Sequence, residues 1–430
     1  MKVQCVTSTP ADRWVQLAAS EATQGEANLT ITDRRGQTWL GFGGCFNELG
    51  WIALSALSEA DRQAVLDALF DPEDGCRFNI CRLPIGASDY AAQWYSHNEV
   101  KDDFAMEHHS IERDRKYLIP YIRRALERRS DIEFFASPWS PPTWMKFPRA
   151  YNYGTMIWQP KVLDAYALYF VKFVQAYRAE GINIRQVHVQ NEPVADQKFP
   201  SCLWTGRQMR DFIRDHLGPA FDTHKLDCEI HLGTLNTDDY DGFVNTVLSD
   251  AGARQYIAGV GFQWAGKGSV QRTWESYPEV QLTQTENECG DGENTWDYAT
   301  YVHGLLRHYI DNGVNAYVYW NMVLQAGGLS TWGWRQNSMV SVDMDAATVT
   351  YNPEFHLMKH FSRFVAPGAT RLFLAGQWTG NATAFENPDG SRVLVINNPF
   401  PDARPLRLAF GAGLVNVELP AKSFTTLTIQ

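Results

Sequence analysis

Between residues 38 and 366, strand-like and helix-like patterns alternate eight times, and few folds accommodate such a chain. The candidate strands are 39–46, 77–84, 132–137, 186–190, 229–235, 257–264, 281–285 and 315–320. Several are near-continuous apolar runs, as expected of strands covered on both faces. Helical periodicity fills the gaps. It is clearest over 161–180, where Tyr166, Phe170, Phe173 and Tyr177 recur at three- or four-residue steps and Gly181 ends the run. A helix over 60–70 opens at Ser58 with Asp61 three residues on, an acidic variant of the capping box. Another spans 111–129, with a kink expected at Pro120. Further helices are expected over 207–217, 240–248, 296–311 and 354–364, and the sixth unit is poorly resolved around 270–277. Eight strand–helix units of this length predict an α/β fold, a (β/α)₈ TIM barrel.

The two ends read differently. Short strands are expected at 14–18 and 28–32, and beyond Pro367 the pattern is all strand: 371–375, 382–386, 392–396, 406–410, 415–419 and 424–429. The tract Asn387-Pro388-Asp389-Gly390 is a turn, because Pro presets φ and Gly accepts positive φ. The expectation is a catalytic barrel over 38–366 with a side β-sandwich built from residues 1–37 plus 367–430.

A net charge of −11 argues against a nucleic-acid partner, which needs a basic face for phosphates, and against a polybasic membrane patch. No apolar run approaches a membrane span, and the first residues lack an apolar signal region. The expectation is a soluble, cytoplasmic protein without a membrane anchor; oligomeric state is not legible. Seven scattered cysteines include no C-x-x-C pair, so they read as buried free thiols. The chain holds 15 Trp, 18 Tyr and 23 Phe. Aromatic faces pack against the C–H faces of sugars, although core burial is the ordinary use of any one ring.

In a barrel, the loops at the C-terminal strand ends form the active site. There the sequence places Arg82 and Asp89 after the second strand, a Ser137–Trp144 tract after the third, and Asn191 and Glu192 after the fourth. Gln263 and Trp264 follow the sixth strand, Glu286 the seventh, and Trp320 and Asn321 the eighth. Two carboxylates facing each other across a sugar-sized gap are the working parts of a glycoside hydrolase. One must hold a proton near neutral pH and the other stay ionised. Arg82 is the candidate cation for the ionised one, and Asn191 is placed to hydrogen-bond a sugar 2-hydroxyl. Each has a plainer reading: Glu192 as a turn or helix N-terminal charge, Arg82 as half of a surface ion pair. Glu288 competes with Glu286, since residues two apart share a strand face. Asp291 and Glu293 lack the spacing of a Ca²⁺ loop, and His108-His109 lacks zinc-ligand partners and reads as exposed. A metal-dependent hydrolase would need clustered histidines at strand ends, where only His188 and His231 fall. Neither a metal nor a cofactor is expected.

Together, Gly41-Phe42-Gly43-Gly44, Asn79-Ile80-Cys81-Arg82-Leu83-Pro84, Ser137-Pro138-Trp139-Ser140-Pro141-Pro142-Thr143-Trp144-Met145-Lys146, Asn191-Glu192-Pro193, Thr285-Glu286 and Trp320-Asn321 carry a resemblance. In this order they resemble glycoside hydrolase family 30, the family of acid β-glucosidase (glucosylceramidase). The resemblance implies a barrel with a side sandwich and a retaining mechanism, with Glu192 as acid/base and Glu286, rather than Glu288, as nucleophile. It also implies that Asp89, Trp139, Asn191 and Trp320 line the subsite of the non-reducing sugar, with Arg82 and Asn337 nearby. Where glucosylceramidases carry His-Trp-Tyr after the sixth strand, this chain has Gln263-Trp264-Ala265, so the nucleophile must be tuned by other groups. The expected substrate is a β-D-glucoside or related β-linked saccharide. A β-xyloside, a β-fucoside or a β-1,6-glucan is the alternative, and a non-catalytic carbohydrate-binding protein the remote one.

Overall fold

In the computed structural model, which describes residues 2–22 and 25–430, eight parallel strands close into a barrel. They are β1 (Gly41–Cys45), β2 (Ile80–Ile85), β3 (Glu133–Pro138), β4 (Ile184–His188), β5 (Glu229–Leu235), β6 (Ile257–Gln263), β7 (Gln281–Glu286) and β8 (Ala316–Asn321). Each pairs with its sequence neighbours, and β8 closes on β1 through Ala316↔Gly41 to Asn321↔Cys45. The eight expected strands are all present, with ends displaced by up to three residues.

Glycine is needed where the barrel interior is crowded. A Cβ on Gly43 would fall 1.6 Å from the Ile80 carbonyl oxygen, and one on Gly261 would meet His188 at 2.7 Å. His188 and His231 pack against each other inside the barrel, tilted by 31° with ring centroids 4.7 Å apart, and both are fully buried. Burial holds His188 well below the usual histidine range, so it packs as a neutral ring. Among the described residues no group of three or more His, Cys, Asp or Glu could hold a metal ion.

The long helix is Pro160–Ala179, and it buries Tyr166, Phe170, Phe173 and Tyr177 against the strands. The helix Glu59–Phe70 is capped by the Ser58 side chain accepting from the Asp61 N–H. The helix expected over 111–129 is two, Glu112–Lys116 and Leu118–Leu126, parted at Tyr117. Pro120 thus stands in the first turn of a new helix, where no backbone donor is required. His109, expected to be exposed, is half-buried between the rings of His97 and Tyr169, each 5.3 Å away.

The chain ends share one ten-stranded sheet that folds into the sandwich. Val3–Ser8, which lacks strict alternation and was not expected as a strand, pairs antiparallel with Ser423–Ile429. Leu29–Thr38 lies between Thr370–Gly376 and Arg404–Phe410. Inside are Leu29, Ile31, Leu394, Ile396, Leu408 and Leu427. Residues 1, 23 and 24, within the segment assigned to the sandwich, lie outside the described residues. Trp39 joins the two units, packing its ring on Phe42 of the barrel and Phe385 of the sandwich. The seven cysteines are all free. No helix of the described residues is long and apolar enough to cross a membrane.

Candidate active site

Local backbone irregularity aims the two glutamates at one point. β4 ends at His188, and Asn191 then bridges Thr234 of β5 while its N–H donates to the Pro138 carbonyl at 2.8 Å. These bonds hold Glu192 in the left-handed region, at φ 47°. For a non-glycine residue this conformation costs on the order of 1–3 kcal/mol and needs such support. On the other side, the β6–β7 register shifts between Phe262 and Gln263, so Gln263 stands opposite Glu286. Such an irregularity re-aims side chains at a barrel rim. Trp264, next along, is also left-handed, at φ 49°.

Arg82, wholly buried, organises the floor. Its guanidinium donates to Glu286 Oε2 at 2.9 Å, Gln263 Oε1 and the Thr285 carbonyl at 3.2 Å, Asn191 Oδ1 at 2.6 Å, and Ser137 Oγ at 2.9 and 3.2 Å. It sits 4.6 Å from the Trp139 ring centroid and 5.2 Å from that of Trp320. A permanent cation desolvated between two indoles is attractive for both rings and carboxylate.

Glu286 is 5% exposed. Beside Arg82, its Oε2 accepts from the Gln263 amide at 3.2 Å, and its Oε1 from the Trp264 indole at 3.3 Å and the Cys289 thiol at 3.6 Å. Burial pushes its carboxyl above the ordinary value, while Arg82, Trp264 and Cys289 pull it down. Trp264, Cys289 and Gln263 thus supply contacts in a site without the Tyr of the resembled motif. Glu192 has one hydrogen bond from a side chain among the described residues, Gln263 Nε2 to its Oε1 at 3.1 Å. Burial, then the nearby charge of Glu286, pushes its carboxyl up to about 8. Two carboxyls with environments this different can divide acid and nucleophile roles.

A cavity of about 320 Å³ opens above the pair, lined by Asp89, Trp139, Asn191, Glu192, Trp264 and Glu286 among others. Asp89 is buried, with one carboxyl oxygen unpartnered among the described residues; burial and the charges of Glu286 and Glu192 push it well above the carboxylate range. Asn191 takes bonds from Arg82, Thr234 and Gln263 on its oxygen. Among the described residues its amide nitrogen has no partner. Trp320 lies behind Trp139, rings 5.3 Å apart, and backs the wall without lining the cavity. Asn337 also lies off the cavity: its oxygen accepts from the Gly292 and Asn294 N–H groups and its nitrogen donates to Glu354 at 2.6 Å. The neighbouring Gln336 lines the wall instead, bonded to Asn321 at 2.9 Å. Glu288 is committed elsewhere, to Lys267 at 2.5 Å and the Tyr301 hydroxyl at 2.6 Å.

Sequence reasoning did not single out Gln197, Phe199, Asn236, Trp334 or Gln336, which with Ala195 complete the lining. All lie on loops without periodicity. The Trp332-Gly333-Trp334 cluster was the one signal available. Phe199 and Trp334 meet edge to face at 4.9 Å, and farther along the same rim Trp94 stacks on Trp332 at 5.0 Å.

Known proteins agree with this architecture. Residues 39–365 match the Glycosyl hydrolase family 30 TIM-barrel domain and residues 368–427 the Glycosyl hydrolase family 30 beta sandwich domain. The lysosomal acid glucosylceramidase of Mus musculus is 30% identical, over 94% of this chain and 84% of its own. An endo-1,6-beta-D-glucanase of Neurospora crassa is also 30% identical, over 86% of this chain and 82% of its own. A solved endo-beta1,6-glucanase superposes with a TM-score of 0.88 at 26% identity, covering 99% of each chain.

Proposed function

The chain belongs to glycosyl hydrolase family 30 and is a retaining β-glycosidase, and from that premise we propose how its residues divide the work. Glu286 is the nucleophile, Glu192 the acid/base, and a β-D-glucosyl unit or a close relative occupies the cavity. The carrying observation is that Gln263 Nε2 reaches Glu192 Oε1 at 3.1 Å and Glu286 Oε2 at 3.2 Å. Oxygens at those distances from one nitrogen stand no more than about 6.3 Å apart. Double displacement uses a spacing of about 5–5.5 Å, whereas inversion needs about 6.5–9.5 Å for a water.

In the first step a Glu286 oxygen bonds to the anomeric carbon as the glycosidic C–O bond breaks, and the Glu192 proton passes to the leaving oxygen. The ionised Glu192 then takes a proton from water, whose oxygen bonds to the anomeric carbon and releases Glu286. Arg82 keeps Glu286 ionised between turns. Asp89 and the free amide nitrogen of Asn191 hold sugar hydroxyls, and Trp139 forms the apolar wall.

The aromatic rim of Phe199, Trp334, Trp332 and Trp94 supports a second reading for the leaving group, a further sugar of a β-1,6-linked glucan. The experiment is a panel of p-nitrophenyl β-glucoside, β-xyloside, β-fucoside, β-galactoside and their α-anomers, followed by β-1,6-glucan digestion. Release from one β-anomer names the glycone. Release from α-anomers alone would refute the assignment, and glucan cleavage without aryl release would select the second reading.

A further inference from the structure

We propose that Gln263 is a positioning residue that ties the two carboxylates to one neutral donor and thereby sets both limbs of the enzyme's pH profile. The inference rests on the roles assigned above to Glu192 and Glu286.

Gln263 is wholly buried at the end of β6. Its Oε1 accepts from Arg82 Nη1 at 3.2 Å and from Thr285 Oγ1 at 3.0 Å. Arg82, which can only donate, fixes which way the amide faces, because a flipped amide would set N–H against its guanidinium and oxygen against the two carboxylates. Its Nε2 is therefore turned to Glu192 Oε1, Glu286 Oε2 and Asn191 Oδ1, at 3.1, 3.2 and 3.2 Å. Two hydrogens serve three acceptors, so the amide shifts its donation as the charge moves between the carboxyls. The register shift opposite Glu286 is what delivers the side chain to this point.

The charged and titratable groups facing the pair are Arg82 on β2, Asp89 beyond it, Cys45 at the end of β1 and Cys289 beyond β7. Arg82 and Cys289 donate to Glu286, but none of the four donates to Glu192. Glu192 must be an acid in one step and a base in the next. A donor that itself titrated over the same range would change strength between the steps, whereas a primary amide does not. Donation to the ionised form favours ionisation of both carboxyls.

The test is Gln263→Met, which keeps length and removes both donors, read as kcat/KM and kcat against pH on an aryl β-glycoside that the enzyme hydrolyses. Both limbs should move to higher pH by about half a unit to one unit. The rate at the optimum should fall about tenfold to a hundredfold, more for poor leaving groups. A residue that merely fills space would lower the rate without moving the limbs. Gln263→Asn keeps a non-titrating amide donor on a shorter stem, so the limbs should return part of the way, and this variant carries the test if the Met variant does not fold. Wild-type limbs and rates in both variants overturn the inference. Glu286→Gln and Glu192→Gln run alongside separate the failures: if they turn over normally, the underlying assignment falls instead.

Discussion

Replacing Glu192 by Gln should stabilise the protein while it destroys catalysis, and the gain should depend on pH. Burial and the adjacent Glu286 push the Glu192 carboxyl up to about 8, from an ordinary 4.5. Because the folded state holds this proton more tightly than the unfolded chain does, stability falls as pH rises between those values. The penalty is absent below about pH 4, grows through neutrality and levels off beyond pH 8. At pH 7 only the part of the displacement between the ordinary value and pH 7 is felt, roughly 3 kcal/mol at 1.36 kcal/mol per unit. The carboxyl edge that meets the open cavity is partly screened, which brings the figure to about 1–3 kcal/mol. Gln cannot ionise and retains the contact with Gln263, so it removes this penalty. With an unfolding entropy of about 0.9 kcal/mol/K for a chain of this size, Tm should rise by about 1–3 °C at pH 7 and by nothing at pH 4. Scanning calorimetry of both proteins from pH 4 to 8.5 makes the measurement. A Tm difference that is absent throughout, or equal at every pH, would refute the reasoning.

Other changes test separate links. Arg82→Met leaves Glu286 buried without its cation and should cost about 3–5 kcal/mol, measured by urea denaturation. The ionisation of Glu286 should also move to higher pH in that variant, which the acid limb of kcat/KM reports. Glu288→Gln disturbs the partly exposed ties to Lys267 and Tyr301, away from the cavity, and should leave kcat/KM within about threefold of wild type. Asp89→Asn should lower kcat/KM by about ten- to a hundredfold for substrates bearing the full set of glycone hydroxyls. Its effect should shrink for a deoxy-glycoside that lacks the partner hydroxyl.

The eight-unit barrel was legible because several buried strands are written as runs of apolar and small residues, from Gly41-Phe42-Gly43-Gly44 to Ala316-Tyr317-Val318-Tyr319, and the helices between them are periodic. The sandwich was legible at its C-terminal end, where alternation and the Pro388-Asp389-Gly390 turn mark hairpins. Val3–Ser8 escaped notice because its burial comes from pairing with Ser423–Ile429, more than four hundred positions away. In the same way the break at Tyr117 follows from what Pro120 needs in three dimensions, not from the periodicity around it. In the site, the residues at strand ends could be placed from sequence, since the barrel fixes where those ends point. Gln336, rather than Asn337, reaches the cavity because the loop after β8 is shaped by the bonds of Asn337 to Gly292 and Glu354, which no local pattern encodes. The bridge made by Gln263 depends on a one-residue register shift and was equally invisible.

The most direct test of the central claim is to trap the covalent intermediate. The enzyme is incubated with a 2-deoxy-2-fluoro-β-glycosyl fluoride matching the preferred glycone, then digested and mapped by mass spectrometry. The account predicts one added glycosyl group, carried by the peptide containing Glu286 and located on that side chain. A label on Glu192, Glu288 or Asp89, or steady hydrolysis by inversion with no label at all, would contradict it.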